Sequence, residues 1–165
     1  MRMLITLPKG AKDITVTISD GANPISGATV TVAGNEQTSG ADGKASFEDV
    51  TEGSQTITVT KSGYQDYSST ITVGSTTKFT VTMTAVGTLT IIVTDSEDTP
   101  SPIEGAVVTL GDDSETTGAD GKVEFSNLTY TDKEVTIEAT GYTTATETLQ
   151  FRANHKSFTV ALTTE

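Results

Sequence analysis

The motif Thr-x-Gly-Ala-Asp-Gly-Lys-x-x-Phe occurs twice in the chain, at residues 38–47 and again at residues 116–125. The residues around it repeat as well. Ile14-Thr15-Val16-Thr17-Ile18 aligns with Leu89-Thr90-Ile91-Ile92-Val93, Gly27-Ala28 with Gly105-Ala106, Gly63-Tyr64 with Gly141-Tyr142, and Phe79-Thr80-Val81 with Phe158-Thr159-Val160. The spacing is 78 residues over most of this length. A unit of that size is too long for a solenoid repeat and suits a small complete β-sandwich. The 165 residues therefore divide into an N-terminal stretch 1–12, a first domain 13–85 and a second domain 86–165.

Threonine supplies 35 residues, almost equally shared between the copies. A β-branched side chain with a hydroxyl suits the wet face of a pleated sheet and lowers helix propensity. No window holds apolar residues at helical spacing for three turns, so the expectation is an all-β chain of two tandem seven-stranded immunoglobulin-like sandwiches. Short alternating runs bounded by Gly, Asp, Asn and Ser place strands at 14–19, 28–33, 37–38, 44–47, 55–61, 69–73 and 78–84 in the first copy. In the second copy they fall at 88–94, 106–110, 115–117, 122–125, 134–139, 145–151 and 156–162. The Ala-Asp-Gly triplet between strands is a turn signal, because Asp tolerates left-handed backbone and Gly takes positive φ freely. Its repetition thus has a structural cause and needs no ligand. Phe47 and Phe125, at the same distance from that turn, should each close one end of a sandwich.

With no cysteine, neither disulfides nor thiolate-bound zinc can supplement these small cores. The net charge of −12 is unevenly placed, with +3 on residues 1–12, −5 on 13–86 and −10 on 87–165. So acidic a chain is repelled by phosphate backbones and anionic membranes, which argues against nucleic acid and membrane partners. No signal-peptide core is visible near Met1, so the reading is a chain made in the cytoplasm without a leader. The joint Ala85-Val86-Gly87 is too short for a flexible tether, from which a stiff rod is expected.

At these residues a resemblance can be stated. A strand, Pro-Ile-x-Gly-Ala in the second copy or Pro-Ile-Ser-Gly-Ala in the first, the Asp-Gly turn before Phe, and a strand leading to Gly-Tyr resemble the carboxypeptidase-regulatory-like, prealbumin-like β-sandwiches related to the B-type repeats of bacterial surface adhesins. The resemblance implies a fold and a range of roles: spacers, adhesin stalks and accessory modules. Adhesin repeats of this kind often carry a Lys to Asn cross-link. Here no lysine lies in 14–18 or 89–93 and no asparagine in 79–84 or 158–163, so that bond is not carried over.

Chemistry is sparse. His155 is the single histidine and stands at a position that does not repeat, so no catalytic residue and no cofactor are expected. No metal is expected either; calcium is the alternative left open, on Asp95 and Asp98 with Asp112 and Asp113, should Glu97 and Glu115 join them at one end of the second sandwich. Sugar binding needs exposed aromatic platforms, and only Tyr67, Tyr130 and Phe151 lack an aromatic counterpart in the other copy. The functional reading is a non-enzymatic structural protein of a bacteriophage virion, a capsid decoration or fibre component. It would dock on a capsid or tail protein through Arg2, Met3, Ile5, Leu7 and Lys9 with its first domain, with homo-oligomers admitted. The acidic second domain would point outward, available for weak contact with a host surface. The alternative is a piece of a bacterial cell-surface adhesin or spacer.

Overall fold

A computed structural model of the chain describes residues 10–165. It contains fourteen β-strands and, among the described residues, no helix. The chain separates into two compact units, one ending at Ala85 and the other beginning at Val86. Each unit holds seven strands in two sheets, as the sequence predicts.

In the first unit the strands are β1 (Ala11–Ser19), β2 (Thr29–Val32), β3 (Asn35–Thr38), β4 (Lys44–Thr51), β5 (Gly53–Thr60), β6 (Tyr67–Val73) and β7 (Lys78–Thr82). They form a three-stranded sheet β4-β1-β7 and a four-stranded sheet β3-β2-β5-β6. The second unit repeats this with β8 (Val86–Asp95), β9 (Val107–Leu110), β10 (Asp113–Thr116), β11 (Lys122–Thr129), β12 (Asp132–Glu138), β13 (Ala145–Gln150) and β14 (Ser157–Leu162). Its sheets are β11-β8-β14 and β10-β9-β12-β13. Every pairing is antiparallel except the one between first and last strand of each unit, β1 with β7 and β8 with β14, which run parallel.

Alternation makes the cores. Ile14, Val16 and Ile18 on β1 face Val30, Val32, Ile57 and Val59 of the other sheet, all nearly inaccessible, while the threonines between them remain wetter. Leu89, Ile91 and Val93 face Val108, Val135 and Ile137 in the same way. Phe47 and Phe125 are buried and sit opposite Ile14 and Leu89 in register. Tyr64 and Tyr142 are half-buried, and their backbones bridge Ala85 and Thr164, tying the loop before β6 and β13 to the chain that leaves each unit.

Two differences from the sequence reading have local causes. Strand β1 opens at Ala11, inside the N-terminal stretch 1–12 and not at the first domain's expected start, because Lys12 pairs with Val50 and Glu52 donates its N–H to the Gly10 carbonyl. Lys12 is exposed there and pairs with Glu52 at 3.5 Å. Strands β4 and β11 also run on past Phe47 and Phe125 through β-bulges, where Asp49 and Asn127 take φ of 53° and 59°. A bulge inserts an unpaired residue and breaks the alternation that marks a strand in sequence.

Candidate functional site

The duplicated motif resolves into a turn stapled to the neighbouring sheet. In the first copy Gly43 donates its N–H to the Gly40 carbonyl and Gly40 donates to that of Lys44, closing the loop between β3 and β4. Asp42 accepts the Lys44 N–H at 3.2 Å and pairs with its ammonium at 3.2 Å. These two contacts from Lys44, side chain first, hold the Asp42 carboxyl below the usual aspartate range. The second copy repeats the arrangement with Asp120 and Lys122. Such exposed pairs add little stability. The glycine is the constrained member: at Gly121, with φ of 69°, a Cβ would lie 2.5 Å from the Val93 carbonyl oxygen and 2.9 Å from Pro102. Gly43 is hemmed in identically by Ile18 and Pro24. The recurrence of Asp-Gly is thus explained by backbone approach.

A second duplicated device escaped the sequence reading. Ser39 is buried, donates its hydroxyl to the Ile25 carbonyl at 2.7 Å and accepts the Ala28 N–H at 2.9 Å. Thr117 does the same with Ile103 and Ala106, at the same two distances. Each hydroxyl satisfies two backbone groups of a segment that has no sheet partner for them. The available signal was the hydroxyl shared by Thr38-Ser39-Gly40 and Thr116-Thr117-Gly118.

The calcium alternative is corrected by strand register. β8 ends at Asp95, and the loop carrying Asp95 and Asp98 returns at Pro102, beside Gly121. β11 then runs back to pair Thr129 with Val86 at the far end of β8, and β9, antiparallel to β12, descends to the same far end. There Asp112 sits in the β9–β10 turn and Asp113 opens β10, close to Leu128, Asp132 and Lys133. The two acidic groups lie at opposite ends of the sandwich, about 20–30 Å apart by strand length. Among the described residues no three acids or histidines are placed to hold a metal ion. Asp95 is occupied otherwise, accepting the Ser101 N–H at 2.9 Å to fold its own loop. Asp20 plays the matching part in the first copy, where the N–H groups of Asn23 and Ala22 hold its carboxyl below the usual range.

The unmatched aromatics are structural. Phe151 is fully buried, and Tyr130 packs on it with ring centroids 5.0 Å apart. A Cβ at Gly87 would strike the Tyr130 ring, so that glycine makes room for it. Tyr67 packs half-buried against the first core. His155 lies in the β13–β14 turn, its backbone paired with Arg152 and its ring 4.2 Å from Phe158. The surface depressions, one along Gly105, Glu138 and Tyr142 and another along Asn35, Ser46 and Phe47, are shallow and open. Arg2, Met3, Ile5, Leu7 and Lys9, the expected docking residues, lie outside the described residues.

One buried polar group lacks a partner. Thr94 is 9% exposed, and its hydroxyl makes no hydrogen bond among the described residues. Thr94→Val should therefore stabilise the second unit by about 1 kcal/mol, since it removes a desolvated hydroxyl at constant shape. The denaturation midpoint should rise with an unchanged denaturant slope. A fall would show that the hydroxyl is satisfied in solution.

Residues 13–84 match the carboxypeptidase regulatory-like domain family. No curated protein matches the chain. Among solved structures the chain is similar to GBS52, the minor pilin of Streptococcus agalactiae, at 14% identity and a TM-score of 0.45, covering 93% of this chain and 96% of that one. It is similar to a streptococcal ancillary pilin at 13% identity and a TM-score of 0.47, covering 94% of this chain and 62% of the pilin. It is also similar to fervidolysin of Fervidobacterium pennivorans, a keratinolytic enzyme related to subtilisin, at 11% identity and a TM-score of 0.40, over 80% of this chain and 25% of the enzyme. At these scores the likeness tells nothing of activity.

Proposed function

We propose that the chain is a non-enzymatic, load-bearing spacer of a cell-surface protein. The observation that carries this reading is the parallel pairing of the terminal strands in both units. In the first, Thr15 to Ser19 of β1 lie beside Lys78 to Thr82 of β7 in five consecutive register pairs. In the second, Thr90 to Asp95 lie beside Ser157 to Leu162 in six. The chain enters each unit at the start of one strand and leaves at the end of its parallel neighbour. Tension applied through the chain therefore acts along the strands and loads all the backbone hydrogen bonds between them together. Strands joined in a hairpin would instead open one bond at a time.

The rest of the chemistry supports the same role. The residues that recur in both copies serve turns, staples and core, and the match of residues 13–84 to a regulatory-like domain family is one of fold. The virion reading took the chain for one made without a leader, lacking cysteine and docking through its N-terminal residues; no observation on the described residues favours it, so the cell-surface spacer is the reading retained.

Pulling on the whole chain from its two ends tests this. The expected record is two abrupt unfolding events, each releasing a unit of about 80 residues, or roughly 250 Å of slack. Gradual lengthening at low force would contradict the proposal. Neighbouring genes for sortase and export machinery would favour the cell surface, and genes for capsid and tail proteins would return the virion reading.

A further inference from the structure

The two units are copies, so a side chain that fills a space in one and is missing from the other shows what that space accepts. The glycine of the repeated Ile-x-Gly-Ala motif marks such a space. Gly27 and Gly105 both take positive φ, at 69° and 77°, and lead the chain into β2 and β9. In the first unit the Lys61 ammonium folds over this turn and donates to the Gly27 carbonyl at 3.1 Å. A Cβ built on Gly27 would meet that ammonium at 3.0 Å. In the second unit Ala139, placed before Gly141 as Lys61 is before Gly63, stands in the lysine's position. There a Cβ on Gly105 would meet nothing within 4 Å.

The surroundings change in the same sense. The cross-strand pair beside the turn is Thr29 with Thr60 in the first unit and Val107 with Glu138 in the second. Glu165 is held at the same place, its N–H donating to the Gly141 carbonyl at 3.2 Å. In the first copy Lys61 and Asp66 balance one another in charge, and their counterparts are Ala139 and Thr144. The groove along Gly105, Val107, Ala139 and Tyr142 is thus edged by two carboxylates, and no basic residue lines it. Among the described residues Val107 is the one large apolar side chain left exposed, at 38%.

We propose that this groove receives a lysine side chain from a partner protein. The first unit displays the central contact, an ammonium on the glycine carbonyl. Lysine also joins a compact cation to an aliphatic stem, so the stem lies on Val107 while the head meets Glu138, Glu165 and the Gly105 carbonyl. Arginine's planar fork suits the two oxygens of one carboxylate, whereas a single carbonyl between separate acids suits a point charge. A divalent metal is a poor match, since among the described residues no three acids or histidines are placed to hold one. An uncharged apolar segment would cover Val107 and leave both acids unanswered.

The test is an NMR titration of the full chain with Nα-acetyl-lysine N-methylamide, a lysine as it stands within a polypeptide. Saturable shifts are expected at the amides of Gly105, Val107, Ala139 and Tyr142, and they should weaken as salt screens the charges. The amides of Gly27, Lys61 and Tyr64 should stay in place, because that turn already holds its own lysine. The Nε-acetylated probe keeps the stem without the charge and should move none of them. Ala139→Lys restores the first copy's lysine and should abolish the shifts, and Glu138→Thr should weaken binding several-fold. Neither position is buried, so the rest of the spectrum should be kept. The absence of saturable shifts overturns the inference. So do shifts that persist with the Nε-acetylated probe or in Ala139→Lys, and so does an equal response to methylammonium, which lacks the stem.

Discussion

Phe125→Ala is expected to destabilise the second unit by about 3–5 kcal/mol, the range for removing a buried aromatic ring. Phe125 is 5% exposed and lies opposite Leu89, just before the bulge that bends β11. Little can collapse into the space, since the strands on either side are fixed by register. A domain of this size holds on the order of 4–12 kcal/mol in all, so the variant should sit near its folding threshold. Phe47→Ala should act equally on the first unit. Because the cores are separate clusters, calorimetry should show one transition falling steeply and the other staying in place. A Phe125→Ala chain with both transitions unchanged would contradict the packing described above.

Thr117→Val should cost about 2–6 kcal/mol, although it changes neither shape nor apolar area by much. The loss is chemical. Valine leaves the Ala106 N–H and the Ile103 carbonyl buried without their partner, and each orphaned group costs about 1–3 kcal/mol. Thr117→Ser should keep most of the stability, since serine already fills the equivalent position at Ser39. Urea titration of the two variants side by side separates the hydroxyl from the methyl. Equal midpoints would show that the staple contributes nothing.

Much of the fold was legible because threonine and aliphatic residues alternate cleanly where one face is wet. Ile57-Thr58-Val59 and Val135-Thr136-Ile137 announce both face and strand. Strand ends were less legible wherever a bulge intervened, as at Asp49 and Asn127, since period-two reasoning stops at the extra residue. Ser39 and Thr117 were hidden because a hydroxyl beside a turn glycine reads as a turn residue, and its burial depends on the loop folding over it. The acidic loops misled for a related reason. Proximity in sequence to neighbouring strands says nothing about which end of a strand a loop caps, and β9 carries the chain away from the loop of Asp98 before the turn at Asp112. The parallel terminal pairing, on which the functional reading rests, is a property of topology that no local pattern encodes.

The direction of loading tests that reading most directly. The chain has no cysteine, so pairs of introduced thiols can serve as the sole attachment points in the first unit. Ala11→Cys with Thr82→Cys pulls the start of β1 against the end of β7, along both strands. Thr15→Cys with Lys78→Cys pulls two register partners at one end of the paired stretch and peels the same pair apart. The backbone hydrogen bonds between β1 and β7 are the same in both. The account predicts a several-fold higher unfolding force for the first pair than for the second, and equal forces in the two directions would contradict it.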